Sequence, residues 1–194
     1  MKKGKYISTI LRSKKTVFSF KDIVMLWGDS SDAVRVRINY HIKDGGLYHI
    51  RKGFYAKDEK YNRLELATRI FTPAYVSFET VLGQEGLTFQ YYGQIFVASY
   101  LSREIKCDGQ TYSFRKIKDE ILINKIGLKN EGEYLTASKE RAFLDVMYIN
   151  KDYYFDNLSP LDWDKVFEIL PIYNNKRMTK KVQDIFEHYK KDKR

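Results

Sequence analysis

The sequence predicts an α+β protein, and three observations carry this. Residues 6–43 hold three stretches with apolar residues at helical spacing, the second and third of them capped. A short hairpin pattern follows directly. From residue 63 on, helical stretches alternate with short β-rich runs bounded by turn residues.

The elements can be taken in order. Tyr6, Ile7, Ile10 and Leu11 give a first helix, ringed by Lys2, Lys3, Lys5, Arg12, Lys14 and Lys15. Ser19 caps a second, whose apolar face is Phe20, Ile23, Val24 and Trp27. Phe18, one residue before the cap, is placed to pack on Ile23 as a hydrophobic staple. Gly28-Asp29 turns the chain into a third helix, capped by Ser30 or Ser31. Asp32 suits its positive N-terminal end. Val34, Ile38 and Ile42 form its apolar stripe. Asp32, Val36, Asn39, Tyr40 and Lys43 fall on the opposite face, with Arg35 and Arg37 on the flanks. Gly45-Gly46 stops the helix. Leu47–Ile50 and Phe54–Ala56 read as two strands with Arg51-Lys52-Gly53 as their tip. Three helices and a terminal hairpin in this order predict a winged helix-turn-helix over residues 1–57.

Polar Asp58–Asn62 reads as a linker to a second domain, residues 63–194. Leu64, Leu66, Ala67, Ile70 and Phe71 give a helix ended by Thr72-Pro73. In Ala74–Leu87, Ser77 is a candidate cap, and Phe78, Val81 and Leu82 continue at helical spacing. Gln94–Leu101 is β-rich. Asp108-Gly109, between Arg103–Cys107 and Gln110–Ile117, is the strongest hairpin signal. Lys139–Asn150, Leu161–Leu170 and Thr179–Tyr189 are further helices, with a frayed KKDKR end. The second domain is therefore expected to be α+β, with helices around a small antiparallel sheet.

Charge is unevenly spread. Residues 1–57 hold 13 Lys/Arg against 4 Asp/Glu, residues 58–175 hold 14 against 18, and residues 176–194 hold 8 against 3. A basic head on a mildly acidic body points to a polyanion partner at the head. One cysteine excludes an internal disulfide framework and fits a reducing compartment. No apolar run approaches a membrane span, and no secretory leader is evident. A cytoplasmic protein without membrane contact is expected.

The candidate binding residues are Ser31, Arg35, Arg37, Asn39, Tyr40 and Lys43 on the third helix, with Arg51 and Lys52 at the hairpin tip. Arginine can pair with guanine and asparagine with adenine in the major groove of double-stranded DNA. A solvated helix face is the competing reading. Lys14 and Lys15 would add phosphate contacts. No catalytic, cofactor or metal site is expected. His41, His49 and His188 sit in different elements. Ser77, Glu79 and Asp145 lack a nucleophile–base partner, and Cys107 reads as inert. Glu104-x-Lys106 would suit a nuclease only with an acidic neighbour, which is not evident; alternating charges on an exposed strand is the simpler account. Phe89, Tyr91 and Tyr92 read as core or turn packing, with a partner surface as the alternative.

The ordered blocks LYHIRKGFYA, NRLELATRIF, PAYVSFETVLGQEGL, IFVAS, TYSFRKI and LTASKERAFLDVMYI resemble the AbiEi family of abortive-infection antitoxins. The likeness runs from about Ser19 to about Asp164. Its most specific parts are Gly53, Tyr55 and Ala56, the block Pro73–Glu79 and the block Ala137–Asp145. The resemblance implies a two-domain antitoxin of a type IV toxin–antitoxin system. Its winged head would repress its own operon by binding the operator. Its second domain would counter a cognate nucleotidyltransferase-like toxin, directly or indirectly. His41 departs from the family, where an apolar residue is more usual. A free-standing regulator with a dimerisation or effector domain is the alternative.

Overall fold

The computed structural model describes residues 4–150 and 152–192. The chain forms nine α-helices and nine strands among these residues, in an α+β arrangement. Helix α1 (Gly4–Arg12) leads to strand β1 (Val17–Ser19), then α2 (Phe20–Trp27) and α3 (Ser31–Lys43). Strands β2 (Tyr48–Arg51) and β3 (Phe54–Ala56) follow. Sheet order is β1-β3-β2, all antiparallel.

The capping expected at Ser19 is complete. Its hydroxyl accepts from the Asp22 N–H at 3.1 Å, and the Asp22 carboxylate accepts from the Ser19 N–H at 2.8 Å. Such a capping box supports a helix end by about 1 kcal/mol. Phe18 and Ile23 are both buried in the head core, as a staple requires. Helix α3 is capped by Ser30, which accepts from Ala33; Ser31 is its first residue. Its C-terminus closes with Gly46 donating to His41 and Gly45 to Ile42, with Gly45 left-handed at φ +73. His41 is buried, edge-on to Trp27 at 5.9 Å, so an imidazole fills the place of an apolar side chain.

The second sheet corrects the expectation of a small antiparallel one. It has six strands and is mixed. In chain order these are β4 (Ala74–Val76), β5 (Gln94–Ser99), β6 (Arg103–Cys107), β7 (Gln110–Lys116), β8 (Leu128–Asn130) and β9 (Leu135–Ala137). Spatial order is β6-β7-β5-β4-β9-β8, with β5–β7 and β4–β9 parallel. Ala74–Val76 is thus a strand, and Ser77 is not a cap. Phe78 turns the chain at φ +56 into α5 (Glu79–Gln84).

Helix α4 (Arg63–Ile70) packs with the head against one sheet face, where Val97, Tyr112 and Phe114 meet Val17, Ile50 and Leu66. The other face carries Phe96 and Ala98 beneath α7 (Lys139–Ile149), α8 (Trp163–Ile169) and α9 (Lys176–Asp192). Alternation along β5 explains this two-sided burial. A short α6 (Asp119–Leu122) and a 3-10 turn at Leu170–Tyr173 complete the fold. Lys193, Arg194, Lys2 and Lys3 lie outside the described residues. Among the described residues no helix is long and apolar enough to cross a membrane.

Beneath α7 lies a buried polar node. Arg141 is 0% exposed and donates to Asp145 (3.3 Å), the Tyr75 hydroxyl (2.9 Å) and the carbonyls of Ile121 (2.7 Å) and Ile126 (2.8 Å). Asp145 also accepts from Ser77 and Tyr173, each at 2.7 Å. Burial opposes the guanidinium charge, but the oxygens of Tyr173, Asp145 and Tyr75 outweigh it and raise its pKa. Breaking one side of such a pair strands the other. Arg141→Met is therefore expected to lower the unfolding free energy by about 3–5 kcal/mol, measured by urea titration. A loss under 1 kcal/mol would mean that Asp145 is not relying on Arg141.

Candidate nucleic-acid interface

Helix α3 presents one continuous exposed face. Val34 and Ile38 are buried and Ile42 half-buried on the inner side. Ser31, Asp32, Arg35, Val36, Asn39, Tyr40 and Lys43 are exposed. The apolar stripe expected from spacing is the observed one. Val36 is unusual for an outward position, at 70% exposed.

The two arginines are less available than their sequence positions suggest. Arg35 pairs with Asp32 at 3.1 Å in a fully solvated geometry, an arrangement of little energetic weight. Its guanidinium lies 5.4 Å over the Phe20 ring. Arg37 turns back into the head. It pairs with Asp29 at 3.2 Å and stacks 4.5 Å over Tyr6. The side chains of Asn39 and Lys43 make no hydrogen bond or ion pair among the described residues. Tyr40 sits edge-on to His41 at 5.2 Å.

The hairpin tip is smaller than expected. Arg51 belongs to β2, after a bulge that shifts the register between His49 and Arg51. The turn itself is Lys52-Gly53, with Lys52 exposed and Gly53 at φ +84. Arg51 is half-buried, with a terminal nitrogen shielded from solvent, and its charge acts on Cys107. It faces the second sheet rather than the tip. Phe20 joins the tip to α3: its N–H donates to Gly53 at 2.9 Å, and its ring lies beneath Arg35. Lys52 and the outer face of α3 therefore flank the same residue. Lys14 is exposed, whereas Lys15 pairs with Asp22 at 2.9 Å.

The segment expected as a free linker is anchored. The Tyr48 and buried Tyr61 hydroxyls each donate to Asp108 at 2.9 Å, at the β6–β7 turn. Asn62 caps α4 by accepting from Leu64 at 2.9 Å. Buried Glu65 accepts from the Thr16 N–H (2.9 Å) and hydroxyl (2.6 Å). Arg69 spans the seam, reaching Asp22 in the head and Glu65 and Glu133 in the body, at 3.0–3.4 Å. Sequence reasoning missed this cluster.

Ser77 and Asp145 do meet, but in the sealed node under α7. Glu104 and Lys106 are exposed on edge strand β6. No group of three or more His, Cys, Asp or Glu is placed to hold a metal, among the described residues. Burial pushes the Cys107 thiol up, so it stays protonated. Phe89 and Tyr91 correct their assignment to the core: they are 74% and 91% exposed. With half-buried Tyr92 they rim an open groove of about 630 Å³, floored by Glu79, Thr80 and Gln94. No protein-family model matches this chain, and no curated protein matches it either.

Asp22 gives the seam a pH signature. Half-burial works against its charge, but the Ser19 and Lys15 hydrogen bonds outweigh that and hold its pKa below 3.8. A depressed carboxylate contributes stability above its unfolded pKa and loses it as pH falls through the folded value. Asp22→Asn should therefore be less stable than the wild type at pH 6, and the gap should close as pH falls below about 4. Urea unfolding at a series of pH values reads this directly, and a pH-independent gap would refute it.

Proposed function

We propose that the protein is a double-stranded-DNA-binding antitoxin that represses its own operon and counters a nucleotidyltransferase-like toxin. The order helix, strand, helix, helix, hairpin, with sheet order β1-β3-β2, supports a winged helix-turn-helix reading of residues 1–57. The observation that carries DNA binding is the exposed face of α3 lying beside Lys52 through Phe20. Arg12, Lys14, Lys21, Lys43 and Lys52 are exposed and without ion pairs among the described residues, ready for phosphates. Residues 63–194 act as the antitoxin part in this reading.

The antitoxin role rests on the family likeness. The structure supports that likeness in one respect: polar residues of its two most specific body blocks meet in space. Tyr75 and Ser77 come from one block, Arg141 and Asp145 from the other, and all four share the buried node. In this reading the two blocks serve the internal packing of the body, and the partner-facing surface lies elsewhere. The groove at Phe89–Tyr92 favours a second reading, in which the body senses an effector. Co-expression with an adjacent toxin gene separates the two: restored growth favours the antitoxin, and no rescue favours the regulator.

For the head, band shifts on the protein's own upstream DNA should show salt-sensitive binding. Lys43→Ala should weaken binding uniformly across sequences and reduce the salt slope by about 1, with melting temperature unchanged. An unchanged slope would remove Lys43 from the phosphate contacts. No binding by the folded protein would remove the head's role.

A further inference from the structure

We propose that α3 reads adjacent A·T pairs in the major groove, with Asn39 bonding an adenine and Val36 covering the methyl group of the neighbouring thymine. The proposal rests on α3 being the groove helix, as argued above, and names the sequence class that this helix prefers.

Four observations lead there. Arg37 is held by Asp29 and Tyr6, so its fork is not presented to a guanine edge. Arg35 lies over Phe20 and makes only an exposed pair with Asp32, which leaves it able to reach a phosphate beside the groove. Asn39 is exposed, and its amide has no partner among the described residues. An amide offers one acceptor and one donor side by side, the complement of adenine N6–H and N7.

The fourth observation is Val36. It is 70% exposed on a face otherwise polar, and nothing in the fold covers it. A β-branched residue gains nothing for an exposed helix position, where its rotamers are restricted. Thymine is the one base that places a methyl group in the major groove. Val36 and Asn39 stand three apart, hence about 5–6 Å between Cβ atoms on one helix face. That spacing lets the two side chains address neighbouring base pairs, with Lys43 a further turn along for a phosphate.

The test uses the full chain and a random-sequence duplex library. Selection should enrich sites holding adjacent A·T pairs. In the enriched duplex, replacing the contacted thymine by deoxyuridine removes only the methyl group. This should weaken binding roughly fourfold, the worth of about one buried methyl. With Val36→Ala the same replacement should change binding less than about 1.5-fold, because the partner is already gone. Val36→Thr keeps one methyl and should fall between. Asn39→Ala should cut discrimination between adenine and guanine at one position by about tenfold, within the range for a bidentate pair. All three variants change exposed side chains, and unchanged melting curves confirm that they fold.

Salt-sensitive binding with no A·T enrichment overturns this proposal and leaves the DNA reading standing. So does an equal deoxyuridine penalty in wild type and Val36→Ala. No enrichment and no salt-sensitive binding of any duplex overturns both.

Discussion

A guanidinium without water must find all its acceptors within the protein, and Arg141 does so. Its partners come from α7 itself, from β4, and from the carbonyls of Ile121 and Ile126 around α6. Tyr173 of the 3-10 turn and Ser77 complete the shell through Asp145. Five separate parts of the body are thus held to one point. Burying such a pair gives little net stability over an apolar substitute of the same shape. What it does impose is geometry, because any other packing of β4 against α7 leaves a charge unpaired. Phe78 is held at φ +56 directly after Ser77, a conformation costing about 1–3 kcal/mol that needs surroundings this well determined.

The same logic, in milder form, joins head to body. Asp22 finishes the cap of α2 and also accepts from Lys15 and Arg69, so local helix stability and domain placement share one carboxylate. Glu65 does the reverse, starting on α4 and reaching back to Thr16 ahead of β1. An apolar cluster of Val17, Ile50, Leu66 and Val97 lies among these polar ties. The head is therefore held at a fixed attitude to the sheet. Under the reading proposed above, an event on the body that disturbs α4 would act directly on the DNA-binding helices, because Arg69 touches both.

Much of the head was legible in the sequence because its signals are local. Ser19 stands just before the Phe20-Ile23-Val24-Trp27 face, the stripe Val34-Ile38-Ile42 follows one helix, and Gly45-Gly46 ends it. The Asp108-Gly109 hairpin was legible for the same reason. The misses share a different cause. Strand β1 is three residues long and exists only because β3 lies beside it. Ala74–Val76 carries apolar residues that suit either state, and Ser77 resembles a cap until Asp145 claims its hydroxyl. Arg51 leaves the tip because one bulge in β2 shifts the register, which reverses the side-chain direction. Apart from that local bulge, each miss turned on a partner far along the chain.

The candidate interface shows why counting charges overstates what they do. Of the eight residues singled out, Arg37 carries charge that the fold itself uses, and Arg51 has a terminal nitrogen shielded from solvent. Arg35 is only loosely committed, to a carboxylate that is itself in water. What remains exposed among them is two lysines, one amide, a serine and a tyrosine, with Val36 beside them. Lysines attract a polyanion without regard to its sequence, and base edges are what give specificity. Under the proposed reading, such a head would gather affinity from its perimeter and selectivity from the middle of one helix, so that its net positive charge and its sequence preference would be separate properties, held by different residues and open to independent change.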